Sequence, residues 1–205
     1  MEPDAAQRGV YMARHGQTAS NLVARYAGRR PEPLTTEGRS QMAHLADRLR
    51  GRGIVAVWTS TVVRARESAA IVAGRLGLDV SEEPRLDELL MGSWEGLTER
   101  ECAERYPEAY SVWRARPDEL RLEGREPLVA LAHRVGEVVE RAAEQRAPIL
   151  LMTHVAPIRV AVLGVLGHPM RWYPRLGVAN ADCFVLDPAC SRVRRLERDH
   201  ALARE

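Results

Sequence analysis

The residues best suited to chemistry lie near the start of the chain. There the apolar run Val10-Tyr11-Met12-Ala13 meets Arg14-His15-Gly16-Gln17-Thr18 without a break. An imidazole is a good nucleophile near neutral pH, and a neighbouring guanidinium can hold the oxygens of a phosphoryl group by paired hydrogen bonds. Taken alone, the triplet Arg14-His15-Gly16 reads more readily as a surface pair beside a turn glycine. Two later stretches repeat its layout. The run at residues 149–153 ends on Thr153-His154, and the run at 54–58 leads into Thr59-Ser60 with Arg64 one helical turn on. Helix N-termini favour anions through free N–H groups and their dipole, and arginine's fork suits tetrahedral oxygens, so the three stretches together predict a phosphate site.

For these residues to meet, the runs that carry them must be neighbouring strands. The apolar run at 10–13 is consistent with a buried central strand. Residues 14–33 read as loop or broken helix. Thr35 or Thr36 offers a cap for a helix through Met42, Leu45, Ala46 and Leu49, ended by Gly51 and Gly53. A second strand follows at 54–58, and Thr59-Ser60-Thr61 supplies caps for a helix through Ala65, Ala69, Val72, Ala73 and Leu76 that Gly77 stops. A short extended piece is expected at 78–81, an irregular stretch at 83–96, and a capping box at Thr98-Glu99-Arg100-Glu101. Residues 107–127, with prolines and scattered aromatics, read as a cap-like excursion over one end of the sheet. Leu128, Leu131, Val135, Val138 and Val139 mark a helix up to Gln145; a third strand at 149–153 leads into a helix at 155–166. The tail, 181–186 and 191–198, reads as edge strands.

Strands alternating with helices predict a three-layer α/β/α sandwich with a mostly parallel central sheet, in one domain over residues 1–205 with its core at about 10–187. In such sheets ligands bind at the carboxyl ends of the strands.

Composition narrows the function classes. The chain has 205 residues, is 45% hydrophobic and 28% charged, and carries 30 basic against 28 acidic residues, a net charge of +2. That balance gives no bulk attraction to nucleic acid or to an anionic membrane. All the basic residues are arginine, so Schiff-base chemistry and a phosphate-loop lysine are excluded. Cys102, Cys183 and Cys190 make no disulfide framework, and none opens a Cys-x5-Arg phosphatase loop, the sixth residue on being Glu108, Ala189 or Leu196. His44, His133, His168 and His200 show no metal-ligand spacing and read as structural or surface residues. The first nine residues carry no apolar signal region and no run reaches membrane-spanning length, so the cytoplasm is the expected location. The tail strands could pair across a homodimer.

The motifs also stand in a recognisable order. Arg14-His15-Gly16-Gln17-Thr18, with Asn21, Arg25 and Gly28, closely resembles the opening signature of the histidine phosphatase superfamily, in its phosphoglycerate-mutase-like branch. Pro33-Leu34-Thr35-x-x-Gly38 looks like that family's next block. Ser60-x-x-x-Arg64-Ala65-x-x-Ser68-Ala69 is similar to the block with the second phosphate-binding arginine. Leu86-Asp87-Glu88-x-x-x-Gly92-x-Trp94-Glu95-Gly96 resembles the block with the acid, and Thr153-His154-x-x-Pro157-Ile158-Arg159 the second-histidine block.

The resemblance implies that His15 attacks phosphorus in line and forms a phosphohistidine that water then hydrolyses. Arg14, Arg64 and His154 would cage the equatorial oxygens, and Glu88 would protonate the leaving alkoxide and later deprotonate water. His15 would need its other ring nitrogen held, best by a backbone carbonyl. Asp87 and Glu95 compete with Glu88 for the acid's role. Asn21, Gln17, Thr18, Gly16 and Val155 are candidates for touching the substrate, and Gln17 and Thr18 read equally as ties within the loop. No metal or other cofactor is implied. The chain departs from the family at Val155, where glycine is common after the histidine, and at Ala156, Pro31 and Ala27. Trp94, Tyr106, Tyr110, Trp113 and Arg116 either shape a leaving-group pocket or simply pack the excursion. Cofactor-dependent mutases carry a long, lysine-containing basic insertion where this excursion is short, so hydrolysis of a small phosphomonoester is the expected reaction. Phosphoglycerate-mutase-type transfer and a non-catalytic phosphate-binding regulatory domain stay open as alternatives.

Overall fold

The computed structural model describes residues 9–197. Its centre is a six-stranded sheet of β1 (Val10–Arg14), β2 (Ala56–Thr59), β3 (Asp79–Glu82), β4 (Ile149–Thr153), β5 (Cys183–Asp187) and β6 (Arg192–Arg195), in the order β3-β2-β4-β1-β5-β6. The four strands β3, β2, β4 and β1 run parallel, while β5 and β6 are antiparallel additions beside β1. The expected sandwich with a mostly parallel sheet is the fold observed.

Two-residue periodicity sorts the core into two layers. Tyr11 and Ala13 of β1 face α2 (Thr36–Leu49) and α3 (Val63–Leu76), where Met42, Leu45, Ala65, Ala69 and Val72 are buried. Val10 and Met12 face the opposite layer, formed by α6 (Leu128–Ala143) and α7 (Val155–Leu166), with Leu131, Val135, Val138 and Ile158 inside. Because both faces of β1 and β4 are covered, these strands are apolar without alternation, as buried parallel strands must be.

Several local expectations shift. The second strand begins at Ala56, the first residue with a partner on β4 (Ile149), and Val55 is left outside the ladder and exposed. Thr59-Ser60-Thr61 does not cap α3 by the usual side-chain bond: the cap position is Val62, and the Ser60 and Thr61 hydroxyls turn instead to Asp87. The excursion contains a helix, α5 (Pro107–Ala115), directly after α4 (Glu99–Arg105). Pro107 occupies the first turn, where a missing N–H costs nothing and the fixed φ is already helical. The loop at 14–33 holds one short helical turn, α1 (Ala19–Leu22). The caps at Thr35 and Thr98 form as expected, the latter with Glu101 bonding back to the Thr98 amide at 2.7 Å.

His44, His133 and His168 are exposed; His200 and the end of the predicted tail strand lie outside the described residues. The outer edge, β6, carries Arg192, Arg194 and Arg195, like charges that discourage pairing with a second copy of itself.

Candidate active site

The parallel strands β2, β4 and β1 are adjacent, so their carboxyl ends deliver three short segments to one rim. The register pairs Arg14 with Thr153 and Thr59 with Met152, which brings His15, His154 and Ser60 together just beyond the ladder. The His15 and His154 rings stand 5.1 Å apart, edge to face. At this rim opens a cavity of about 440 Å³ lined by Arg14, His15, Asn21, Arg64, Glu88 and Val155, among others.

His15 is almost wholly buried, and its ring is held at both nitrogens. Nδ1 lies 2.7 Å from the Gly16 carbonyl, and Nε2 accepts from Arg64 Nε at 3.1 Å. A carbonyl and a guanidinium together leave one assignment: the proton is on Nδ1 and the lone pair on Nε2. Burial, then the charges of Arg64 and Arg14, hold this imidazole well below its ordinary range, so it is neutral. His154 is held below its range in the same way, by burial first and then by Arg64, His15 and Arg14.

The arginines are fixed by backbone carbonyls. Arg14 Nη1 donates to Val178, and Arg64 donates through Nη2 to Gly28 at 2.7 Å and through Nη1 to Arg30. Burial lowers both, Arg14 to about 10, and a guanidinium keeps its charge at neutral pH. Two buried polar atoms here, Arg14 Nε and His154 Nδ1, have no hydrogen-bond partner among the described residues. Buried polar groups are rarely left unpaired. An anion would satisfy the Arg14 N–H, while His154, fully buried and not among the residues lining the cavity, could donate to one only once Nδ1 is protonated.

Of the three competing carboxylates, only Glu88 lines the cavity. Its Oε1 accepts from the Leu89 amide at 2.8 Å and from the Ala156 amide at 3.2 Å, in the first turn of α7. Its own carbonyl receives Arg29 Nε and Arg134 Nη2, and Thr153 Oγ1 donates to the Leu86 carbonyl nearby, so the irregular stretch is pinned to β4 and α6. Asp87 points away to Ser60 and Thr61, and Glu95 pairs with Arg30 at 3.5 Å.

Among the substrate candidates, Asn21 and Val155 reach the cavity wall, whereas Gln17, Thr18 and Gly16 do not. Gln17 is tied to Thr35 and Gln41, and Thr18 is fully buried with its amide on Asn21 Oδ1. Gly16 serves by being small: a Cβ there would run into the carbonyl of Gly38, and one at Gly38 into the backbone of Gln17. Asn180 joins the site from the loop before β5, bonding the His15 carbonyl at 3.2 Å and Asn21 Oδ1 at 2.9 Å. Tyr26, Trp113, Arg159 and Tyr173 also line the cavity; Tyr26, Tyr173 and Asn180 carried no signal in the sequence beyond their type. Trp94 does not reach it. Trp94 is the buried hub of an aromatic cluster with Tyr26, Tyr106, Tyr110 and Trp113, while Arg116 pairs at the surface with Glu119.

The model of the histidine phosphatase superfamily, branch 1, matches residues 10–197. The chain belongs to that superfamily. Phosphoserine phosphatase 1 of Hydrogenobacter thermophilus is 27% identical to this histidine phosphatase superfamily member over 179 residues, 86% of this chain and 85% of that protein. A probable phosphoglycerate mutase of Serratia proteamaculans is 31% identical over 184 residues, 87% and 84% of the two chains. Among solved structures, mycobacterial glucosyl-3-phosphoglycerate phosphatase superposes with a TM-score of 0.78 at 31% identity, covering 88% of this chain and 92% of that one. A putative α-ribazole-5′-P phosphatase from Escherichia coli does so with a TM-score of 0.78 at 25% identity, covering 96% and 98%. These relatives support phosphatase or mutase-like activity for this superfamily member. Among its described residues no group of three or more His, Cys, Asp or Glu is placed to hold a metal ion, and no helix is long and apolar enough to cross a membrane.

Proposed function

We propose that the chain, working as one domain, is a metal-independent phosphomonoesterase that hydrolyses a small phosphorylated metabolite through a phosphohistidine on His15. The observation that carries this reading is the tautomer of His15: Nδ1–H is anchored on the Gly16 carbonyl, so the lone pair of Nε2 is the one offered at the cavity floor. In the free enzyme Arg64 Nε occupies that lone pair; a bound phosphoryl group would draw the guanidinium onto its oxygens and free Nε2.

In the first step Nε2 forms a bond to phosphorus as the bond to the leaving oxygen breaks, and protonated Glu88 gives that oxygen its proton. In the second, water attacks phosphorus, Glu88 takes the water's proton, and the P–N bond breaks to release phosphate and neutral His15. Glu88 suits both tasks because Oε1 is fixed by two amides, whereas Oε2 has no partner among the described residues. Arg14, Arg64 and Asn21 line the same wall and would hold the equatorial oxygens in place of a metal ion. The leaving-group side mixes apolar walls, Leu89, Met91, Trp113 and Tyr173, with Arg114 and Arg159, which suits a small polar or anionic alcohol rather than a lipid. The short excursion and the absence of lysine favour hydrolysis over mutase-type transfer.

Purified protein treated with EDTA should release inorganic phosphate from p-nitrophenyl phosphate, and His15→Ala should not. Loss of activity to EDTA, or its survival in the variant, sinks the mechanism. Interconversion of phosphoglycerates without net phosphate release would instead identify a mutase.

A further inference from the structure

Behind the reacting groups lies a chain of hydrogen bonds that the hydrolysis scheme leaves unused. Ser60 is fully buried at the end of β2, its Oγ 2.8 Å from Asp87 Oδ1 and 2.8 Å from His154 Nε2. The Val62 amide donates to the same Oγ at 3.1 Å. Asp87, as a carboxylate, can only accept, and it also receives the Thr61 amide at 2.8 Å and the Thr61 hydroxyl. The Ser60 hydroxyl has one proton, and Asp87 takes it. Its two lone pairs are then filled by the Val62 N–H and by His154. The imidazole must therefore be the donor, with its proton on Nε2.

We propose that Asp87, acting through Ser60, is a positioning residue that holds a proton on His154 Nε2 and thereby commits Nδ1 to the phosphoryl group. This rests on the reading of the rim as a phosphate site. In the free enzyme Nδ1 is buried and without a partner among the described residues. A bare lone pair there would repel a phosphate oxygen, so binding of a dianion is completed by proton uptake: Nδ1 gains one proton from solvent and the ring becomes an imidazolium that donates to the ligand. The groups around the ring set the balance. Arg14 at the end of β1 and His15 just beyond it face the ring, with Arg64 from α3 and Arg134 from α6, and Asp87 reaches it through Ser60. Burial first, and then the cations, keep the empty site's ring neutral, and two added negative charges on the ligand reverse that preference. Asp87 stands to His154 as an orienting carboxylate stands to a catalytic imidazole elsewhere, one hydroxyl removed.

The test uses full-length protein with ring-15N histidine, followed by NMR with and without inorganic phosphate, alongside calorimetry in buffers of different ionisation enthalpy. In the free wild type His154 should appear as the neutral Nε2–H form; saturating phosphate should convert it to the doubly protonated form with uptake of about one proton. Ser60→Ala and Asp87→Asn should abolish the fixed tautomer and reduce that uptake, with kcat lowered about 10- to 100-fold, as for other supporting hydrogen bonds at active sites. Ser60→Thr, which keeps the hydroxyl, should restore the tautomer, and thermal melts identify any variant that fails to fold. An Nδ1–H tautomer in the free wild type overturns the proposal outright. If phosphate shifts the His15 signals while His154 stays neutral, the proposal fails and the phosphate site stands. If phosphate shifts neither ring, both fall.

Discussion

The Nε of Arg64 donates to Nε2 of His15 at 3.1 Å, so the atom read as the nucleophile is covered by the cation that would steady its target. One side chain thus has two tasks, shielding the lone pair in the empty site and binding oxygens in the filled one. Arg64→Ala should lower kcat/KM by about 10²- to 10³-fold, the usual effect of removing a preorganised donor to a transition-state charge. Arg64→Lys should recover little of it, because an ammonium cannot meet the Gly28 carbonyl, the Arg30 carbonyl and a ligand in one plane. Steady-state kinetics on p-nitrophenyl phosphate check this; near wild-type activity in the lysine variant would contradict it.

Acid should weaken the fold through the two buried imidazoles. Both are held well below the ordinary 6.5, by burial before any other cause. Their native forms bind fewer protons than the unfolded chain, so stability is whole above pH 6.5 and declines as pH falls below it, until the folded values are reached. The slope is up to about 1.4 kcal/mol per pH unit for each histidine. Urea unfolding in neutral and mildly acidic buffer should show a smaller loss for the variant with both histidines changed to asparagine. Glu83 acts in a different window: Arg85 lowers it from 4.5 to about 2, so its contribution is present above 4.5 and disappears as pH falls toward 2.

Gly16 and Gly38 hold two backbones in contact, the turn after His15 and the first turn of α2. Gly16→Ala should destabilise by about 1–3 kcal/mol through overpacking and displace the carbonyl that anchors His15 Nδ1. The prediction is a lower Tm together with a reduced kcat, measured on the same preparation. A variant with wild-type values of both would show that the turn is free to move.

The aromatic cluster separates structure from substrate contact. Trp94→Ala removes the buried hub and should cost about 3–5 kcal/mol. Trp113 packs against Trp94 and also lines the cavity, so Trp113→Leu should raise KM for a natural substrate at a smaller loss of Tm. Comparison of the two variants by thermal melts and kinetics checks the division.

Much of this was legible in the sequence, for a physical reason. Strands such as β1 and β4 are buried on both sides and must be continuously apolar, so the points where they stop at Arg14-His15 and Thr153-His154 stand out sharply. The periodic faces of α2 and α6 read directly because each covers one layer of the core. What could not be read depends on the meeting of distant segments. Asp87 looked like a rival to Glu88 until the position of Ser60 fixed its direction, and nothing in Asn180 or Tyr173 foretells that the turn before β5 passes over His15. The helix at α5 was hidden by its prolines, which mark its beginning and the stretch just after its end rather than a break.

The carboxyl ends of β1, β2 and β4 are stitched together by main-chain bonds that include the site's own amides: His15 N–H to Thr153 at 3.0 Å and Ser60 N–H to Met152 at 3.0 Å. Neither bond can open unless the middle of the sheet separates. Hydrogen–deuterium exchange at these two amides should therefore report on global unfolding, while the exposed loop around Ala24 and Arg25 exchanges through small local openings. On that expectation the atoms proposed to react would sit on a slowly opening part of the protein and part of the proposed leaving-group wall on a faster one, so that selectivity could be remodelled with little disturbance to the chemistry beneath it.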